Sequence, residues 1–223
     1  MAIGPITKRT AWRCGAAGWL SLLLMSAGCD ALGYLGYLFA PPSRPIKVQA
    51  EYSGLANRTT AIVIFADQSV QYEYPYARVG LSMALSAELK KHVKGITVVD
   101  PQRVIKYQDE NVRWDSQDKS RLGRALDADM VLYVVLREYQ MREPGSINLF
   151  RGRITAQATV YETADGTDDE RKWYNDDLRV VYPEDAPTGK PGEDDTRIRY
   201  ETEKRFAQLL AKKFYDHEVK EEE

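Results

Sequence analysis

Thr60-Ala61-Ile62-Val63-Ile64-Phe65-Ala66 decides the fold. The run is continuously apolar and rich in β-branched side chains, the composition of a strand covered on both faces. A second such run, Met130-Val131-Leu132-Tyr133-Val134-Val135-Leu136, lies further along, with the short Ile96-Thr97-Val98-Val99 between them. Strands covered on both faces are usually parallel and joined by helical crossovers. The intervening sequence supplies the helices. Pro75 suits a first turn, Val79, Leu81, Met83, Leu85, Leu89 and Val93 follow it, and Gly95 is placed to stop the chain. Asp100-Pro101 combines an N-cap with proline at the first helical position, ahead of Val104, Ile105 and Tyr107. Ser116 or Asp118 opens a further helix through Leu122, Ala125 and Leu126 to Asp127.

The flanking segments alternate instead. Ile46 to Tyr52 reads as a half-exposed strand, followed by a turn from Ser53 to Arg58. Phe150, Gly152, Ile154, Ala156, Ala158 and Val160 are interleaved with Arg151, Arg153, Thr155, Gln157 and Thr159, so this strand has one polar face. Glu143-Pro144-Gly145-Ser146 makes the turn before it and Asp165-Gly166 the turn after it. Trp173 to Tyr182 returns as another strand, with Leu178, Val180 and Tyr182 on one face. A polar, acidic loop from Pro183 to Asp195 leads to a last helix, in which Ile198, Thr202, Phe206, Leu209, Leu210 and Phe214 share a face and Glu201 can pair with Arg205. The expected fold is α/β, a mixed parallel and antiparallel sheet with helices packed against it. It forms a single domain over residues 46–217, ahead of a charged, unstructured tail at 218–223.

The N-terminus has a different character. Lys8, Arg9 and Arg13 precede the apolar stretch Cys14 to Gly28, with no acid among the first 28 residues. A basic start, a short apolar centre and small residues form a secretory signal. Ser26-Ala27-Gly28-Cys29 resembles the bacterial lipobox, which implies cleavage after residue 28 and an acyl (palmitate-type) anchor on Cys29. Ser26 departs from the usual leucine. The alternative is an uncleaved membrane anchor from Cys14 to Ala40. It would bury Asp30 at ~2.5–3.5 kcal/mol near a helix centre. Tyr34, Tyr37 and Phe39 follow the cysteine and are expected at the membrane surface, where a ring with a polar tip is at home, or else packed on the domain. Pro41-Pro42-Ser43-Arg44-Pro45 completes a stiff linker over residues 29–45. Asp30 beside the acylated cysteine resembles an inner-membrane retention signal, and the choice between inner and outer membrane stays open.

With these pieces in order, the chain resembles envelope lipoproteins of the TolB N-terminal-like group, including the curli secretion lipoprotein and the lipoprotein activators of penicillin-binding proteins. The matching stretches are Ala61 to Phe65, a small-residue helix through Ala84 and Ala87, Thr97-Val98-Val99-Asp100 with Arg103, Leu122 to Leu132, and Thr159-Val160-Tyr161 before Gly166. They span about half the chain. The resemblance implies a periplasm-facing, lipid-anchored protein that assembles with another envelope protein or with itself. The acidic loop and the lack of a pore-forming insertion depart from the curli-type channel.

Composition narrows the function further. The 223 residues carry a net charge of −2, which does not favour nucleic acid. Cys14 and Cys29 are the only cysteines, so the domain has no disulfide or thiolate metal site. No phosphate-binding glycine pattern is present. His92 and His217, the only histidines, are expected near helix ends, solvated rather than catalytic. Asp165, Asp168, Asp169 and Glu170 read as a solvated acidic turn, and Asp127 and Asp129 as capping residues. No catalytic residue, metal or cofactor is assigned. The candidate interface comprises Arg137, Arg151, Arg153, Trp173 and Tyr174, with Arg142 and Arg171 nearby, because arginine with aromatic side chains is the usual make-up of an interface anchor. Trp173 and Arg153 are expected to carry partner capture. The expected function is therefore a non-enzymatic binding module, with a self-assembling ring or secretion component and an envelope-acting enzyme as alternatives.

Overall fold

The computed structural model describes residues 45–163, 171–186, 188–192 and 194–219, with the side chain of Arg171 left aside. The signal segment, Cys29, Tyr34, Tyr37, Phe39 and the acidic turn around Gly166 lie outside the described residues. Most of the compact unit 47–219 is organised on one sheet.

The sheet runs in the order β3 (Thr97–Val98), β2 (Thr59–Phe65), β4 (Met130–Arg142), β5 (Leu149–Glu162) and β6 (Arg171–Tyr182). β2 is parallel to both β3 and β4, whereas β4, β5 and β6 are antiparallel. The mixed α/β sheet expected from the sequence is what forms. Its two ladders meet at β4, whose first half is apolar on both faces and whose second half is not.

Helices α2 (Ala77–His92) and α5 (Asp195–Lys212) cover one face. Leu81, Leu85 and Leu89, four residues apart, meet Ile62, Ile64, Leu132 and Val134 there. Phe206, Leu210 and Phe214 close the same core over Ile154, Ala156 and Ala158. Helices α3 (Pro101–Glu110) and α4 (Lys119–Ala125) cover the other face, where Val104, Leu122 and Trp114 pack on Ala61, Val63, Val131 and Tyr133.

Local chemistry sets the boundaries. Asp100 caps α3 by accepting from the Gln102 amide at 3.0 Å, with Pro101 in the first turn. Asp118 caps α4 through the Arg121 amide and Asp194 caps α5 through the Thr196 amide. Gly95 takes φ +67° after α2, a conformation that side chains with a Cβ resist. Asp129 ties the parallel pair together: its carboxylate accepts from the Thr59 amide and its own amide donates to the Thr59 carbonyl, both at 2.8 Å.

Several expectations are corrected. Pro75 does not open α2. It separates α2 from a short helix α1 (Gln68–Glu73), which Asp67 caps through the Val70 amide. The first strand, β1, covers only Ile46–Val48, and its partner is β8 (His217–Val219). Glu218 and Val219 are therefore strand residues rather than unstructured tail, and His217 stands in a strand rather than at a helix end. The loop after Pro183 holds β7 (Lys190–Pro191), which pairs with β5, and ends before Asp195, the first residue of α5. Arg205 pairs with Glu184 at 2.9 Å, not with Glu201. Met83 is 56% exposed, because its position turns away from the leucine stripe.

Candidate functional site

Helices α3 and α4 lie over β2 and the start of β4, and among the described residues no helix covers the rest of that face. What remains is the second half of β4 with the polar faces of β5 and β6. Register brings Val135, Gln157 and Asp177 side by side, then Glu138, Thr155 and Arg179, then Gln140, Arg153 and Val181. A bulge between Leu136 and Glu138 adds Arg137 to this row.

The arginines differ in how they are held. Arg153 Nη1 donates to both oxygens of Glu143 at 3.0 Å, its Nε lies 3.2 Å from Glu138, and its Nη2 reaches Gln140 and the Arg142 carbonyl. Its side chain is only 11% exposed. Arg151 approaches the same Glu143 at 3.5 Å. Removing Arg153 would leave Glu138 and Glu143 without their shared cation, so it is a framework residue here. Arg137 is looser. It bridges Asp177 at 3.4 Å and Gln157 at 3.1 Å with its side chain about half exposed. An exposed pair of this kind is worth ~0–1 kcal/mol, little enough for a partner to displace.

Trp173 sits where the β5–β6 ladder shifts register beside Tyr161, is 55% exposed, and donates its indole N–H to Glu162 at 3.1 Å. Tyr174 is on the helix-covered face. Its ring packs on Phe214 and Tyr52, and its hydroxyl donates toward Asp176 and Glu51. Burial, and then those two carboxylates, push its phenol far above the ordinary tyrosine range. Arg142 belongs to the helix-covered side too, over the Phe150 ring and 3.9 Å from Asp195. The structure thus gathers Arg137, Arg151 and Arg153 on one polar face, leaves Trp173 exposed on the edge strand next to Glu162, and takes Tyr174 to the helix-covered side.

A buried carboxyl escaped the sequence reading. Glu203 of α5 is 8% exposed and accepts from the Tyr139 hydroxyl at 2.5 Å. Gly80 of α2 makes room for it, since a Cβ there would lie 2.6 Å from the carboxylate. Beside it the two helices leave a groove of about 340 Å³ lined by Met83, Ala84, Ala87 and Tyr200. Desolvation raises the Glu203 pKa more than Tyr139 and Arg199 lower it. The folded chain therefore keeps a proton that the unfolded chain releases, and stability falls as pH rises from the ordinary carboxylate range to the raised value. Glu203→Gln is expected to gain stability relative to the parent as pH rises above the ordinary carboxylate range. Urea titrations at several pH values check this, and parallel pH profiles would contradict it.

His92 ends α2, lies 3.5 Å from Glu88 and stacks on Tyr215 at 4.5 Å. Among the described residues no group of three or more His, Cys, Asp or Glu side chains is placed to hold a metal ion. Likewise, no described helix is long and apolar enough to cross a membrane.

No family model matches the chain, and no curated protein does. Among solved structures, the chain is similar to the PelC dodecamer of Paraburkholderia phytofirmans, at 9% identity over 75% of this chain and 98% of that one, with a TM-score of 0.43. It is similar to lipoprotein GNA1162 of Neisseria meningitidis at 13% identity, 68% and 97% coverage and a TM-score of 0.43. A minor lipoprotein of Acinetobacter baumannii follows at 11% identity, 72% and 92% coverage and a TM-score of 0.32. Likeness at this level leaves the function to be argued from the chain's own residues.

Proposed function

We propose that this chain is a lipid-anchored, non-enzymatic module of a bacterial cell envelope that docks a second envelope protein on the uncovered half of its sheet. The carrying observation is the contrast on that face. Arg153, Glu138 and Glu143 form a pre-ordered polar floor, Arg137 stands at its surface, half exposed and weakly committed, and Trp173 is exposed on the adjoining edge strand. Fixed polar groups beside an aromatic and an arginine free to repack give a binding surface a low ordering cost. Cys29 and the linker to Pro45 supply the tether. The TolB N-terminal-like reading is supported by the order of the opening strand, the small-residue helix and the Asp129 link.

The variant pair follows from the geometry. Arg137→Ala with Trp173→Ala removes the two displaceable groups and leaves the Arg153 network whole, which makes it a better test than Arg153→Ala. Chemical crosslinking in intact cells is expected to join the parent chain to one reproducible envelope protein. The double variant should lose at least about 2 kcal/mol of binding, roughly 30-fold, with unchanged thermal unfolding. Undiminished crosslinking in the double variant would remove this face from the account.

A further inference from the structure

The sheet has two edges of very different length. β3 is two residues long, whereas β6 runs twelve residues from Arg171 to Tyr182 with, among the described residues, only β5 beside it. Natural sheets blunt such an edge because its free N–H and C=O groups template another strand. Among the described residues no backbone hydrogen bond leaves β6 on its outer side. The Asp177 amide instead donates to the Asp176 carboxylate at 2.9 Å. That bond marks the odd-numbered residues as those whose backbone groups face away from β5, since in an antiparallel strand the two directions alternate.

We infer that two copies of this chain pair antiparallel through β6 about a twofold axis centred on Leu178, continuing the sheet from one copy into the other. The charge pattern selects this register. Outward pairing requires odd residues opposite odd ones, so the twofold passes through a residue. Centred on Asp176 or Asp177, two aspartates face each other. Centred on Arg179, two arginines do. Centred on Leu178, Asp177 of each copy faces Arg179 of the other, Asn175 faces Val181, and Tyr174 faces Tyr182. Opposite charges directly across a ladder stabilise it and like charges oppose it. The charges that would otherwise blunt this edge are therefore self-complementary in one register. A twofold contact needs that property, because the same patch serves both sides.

The surroundings have room for the second strand. A groove of about 590 Å³ runs beside Arg179, Val180 and Val181, with Arg205, Gln208, Leu209 and Lys212 of α5 on its other side. The Leu178 register sets the incoming Asp176 across from Val180, on the side of the basic Arg205 and Lys212. Leu209, 37% exposed, gives the same groove an apolar contact. This pairing uses the backbone edge of β6, which adjoins the docking face through Asp177, the ion partner of Arg137; oligomeric state reads the pairing, whereas crosslinking to a foreign protein reads the docking.

Sedimentation of the purified full chain in detergent micelles, over a range of protein concentrations, tests it. The parent is expected to be a dimer. Arg179→Asp sets aspartate against aspartate and should weaken the dimer by about tenfold or more. Val181→Pro removes an outward amide without touching the β5 ladder, a place where proline is tolerated, and should weaken it likewise. Asp177→Arg combined with Arg179→Asp restores opposite charges and should restore the dimer. Circular dichroism melts confirm that each variant folds. A parent that stays monomeric, a closed ring of more than two copies, or a dimer indifferent to both single variants overturns the pairing. Loss of the dimer without rescue by the charge exchange overturns the register.

Discussion

Phe206→Ala is expected to cost about 3–5 kcal/mol of unfolding free energy, among the largest effects of any single side chain here. Phe206 is fully buried at the middle of α5, in the core that α5 and α2 share over the sheet. α5 follows the strands in sequence but seals β4, β5 and β6 against solvent, so a cavity at Phe206 weakens the attachment of the whole helix. The neighbours are poorly able to collapse into that space. Ala207, Ala211, Ala156 and Ala158 lack the length to fill it. Urea denaturation reads the effect as a lower midpoint with unchanged slope. Met83→Ala, on the exposed side of α2, is the control and should change stability by about 0.5 kcal/mol or less. A Phe206 variant as stable as the Met83 variant would mean that α5 is not docked as described.

Gly152→Val should be comparably damaging for the opposite reason. α5 lies on β5 so closely at this point that a Cβ on Gly152 would stand 1.8 Å from the Thr202 hydroxyl and 2.8 Å from its Cβ and Cγ2. Thr202 cannot step aside. It is fully buried, branched at Cβ and held by its hydroxyl, which donates to the Ile198 carbonyl at 2.6 Å. Even alanine must lift the helix from the strand, at about 1–3 kcal/mol, and valine adds two methyl groups to the same collision. Gly152→Ala and Thr202→Ala should not be additive: the double variant is expected to cost less than the sum of the singles, because trimming Thr202 makes part of the room. Additive losses in a double-mutant cycle would place the crowding elsewhere.

The strands and most helix starts were legible because each has a local cause. Thr60 to Ala66 and Met130 to Leu136 read as strands covered on both faces, and β2 is indeed buried through its centre while β4 is so over its first half. Asp100-Pro101 and Asp118 cap helices where their chemistry requires it. Gly152 sits in a clear alternation, yet its role depends on Thr202, fifty residues away, and spacing within one strand cannot show that. Glu203 was missed for a similar reason. It adjoins the apolar stripe of α5, but its burial depends on Gly80 and Tyr139 from two other elements. The α1 helix was hidden by its polar composition and β7 is too short to carry a period, whereas the alternation from Ile46 to Tyr52 outran β1, which stops at Val48.

At the candidate interface the sequence placed the right strands and misjudged the faces. The arginine alternation Arg151, Arg153 put both on one side of β5, as found. A register shift beside Tyr161 makes Trp173 the extra residue of a bulge, exposed and bonded to Glu162, while its neighbour Tyr174 packs into the core. Arg153 reads as an anchor by type, but two glutamates, one opening the β4–β5 turn and one on β4, hold it in place. That division of labour between fixed Arg153 and displaceable Arg137 is the physical basis of the proposed docking face.

Position-resolved photocrosslinking in intact cells tests that docking face most directly, with the photoreactive residue placed in turn at Trp173, at Arg137 and at Val112. Val112 is 91% exposed, follows α3 in the chain and is outside the strand rows that carry Arg137, and serves as the control. The account predicts that Trp173 and Arg137 both yield an adduct with the same envelope protein while Val112 yields none. Adducts from Val112 alone, or equal adducts from all three positions, would contradict it.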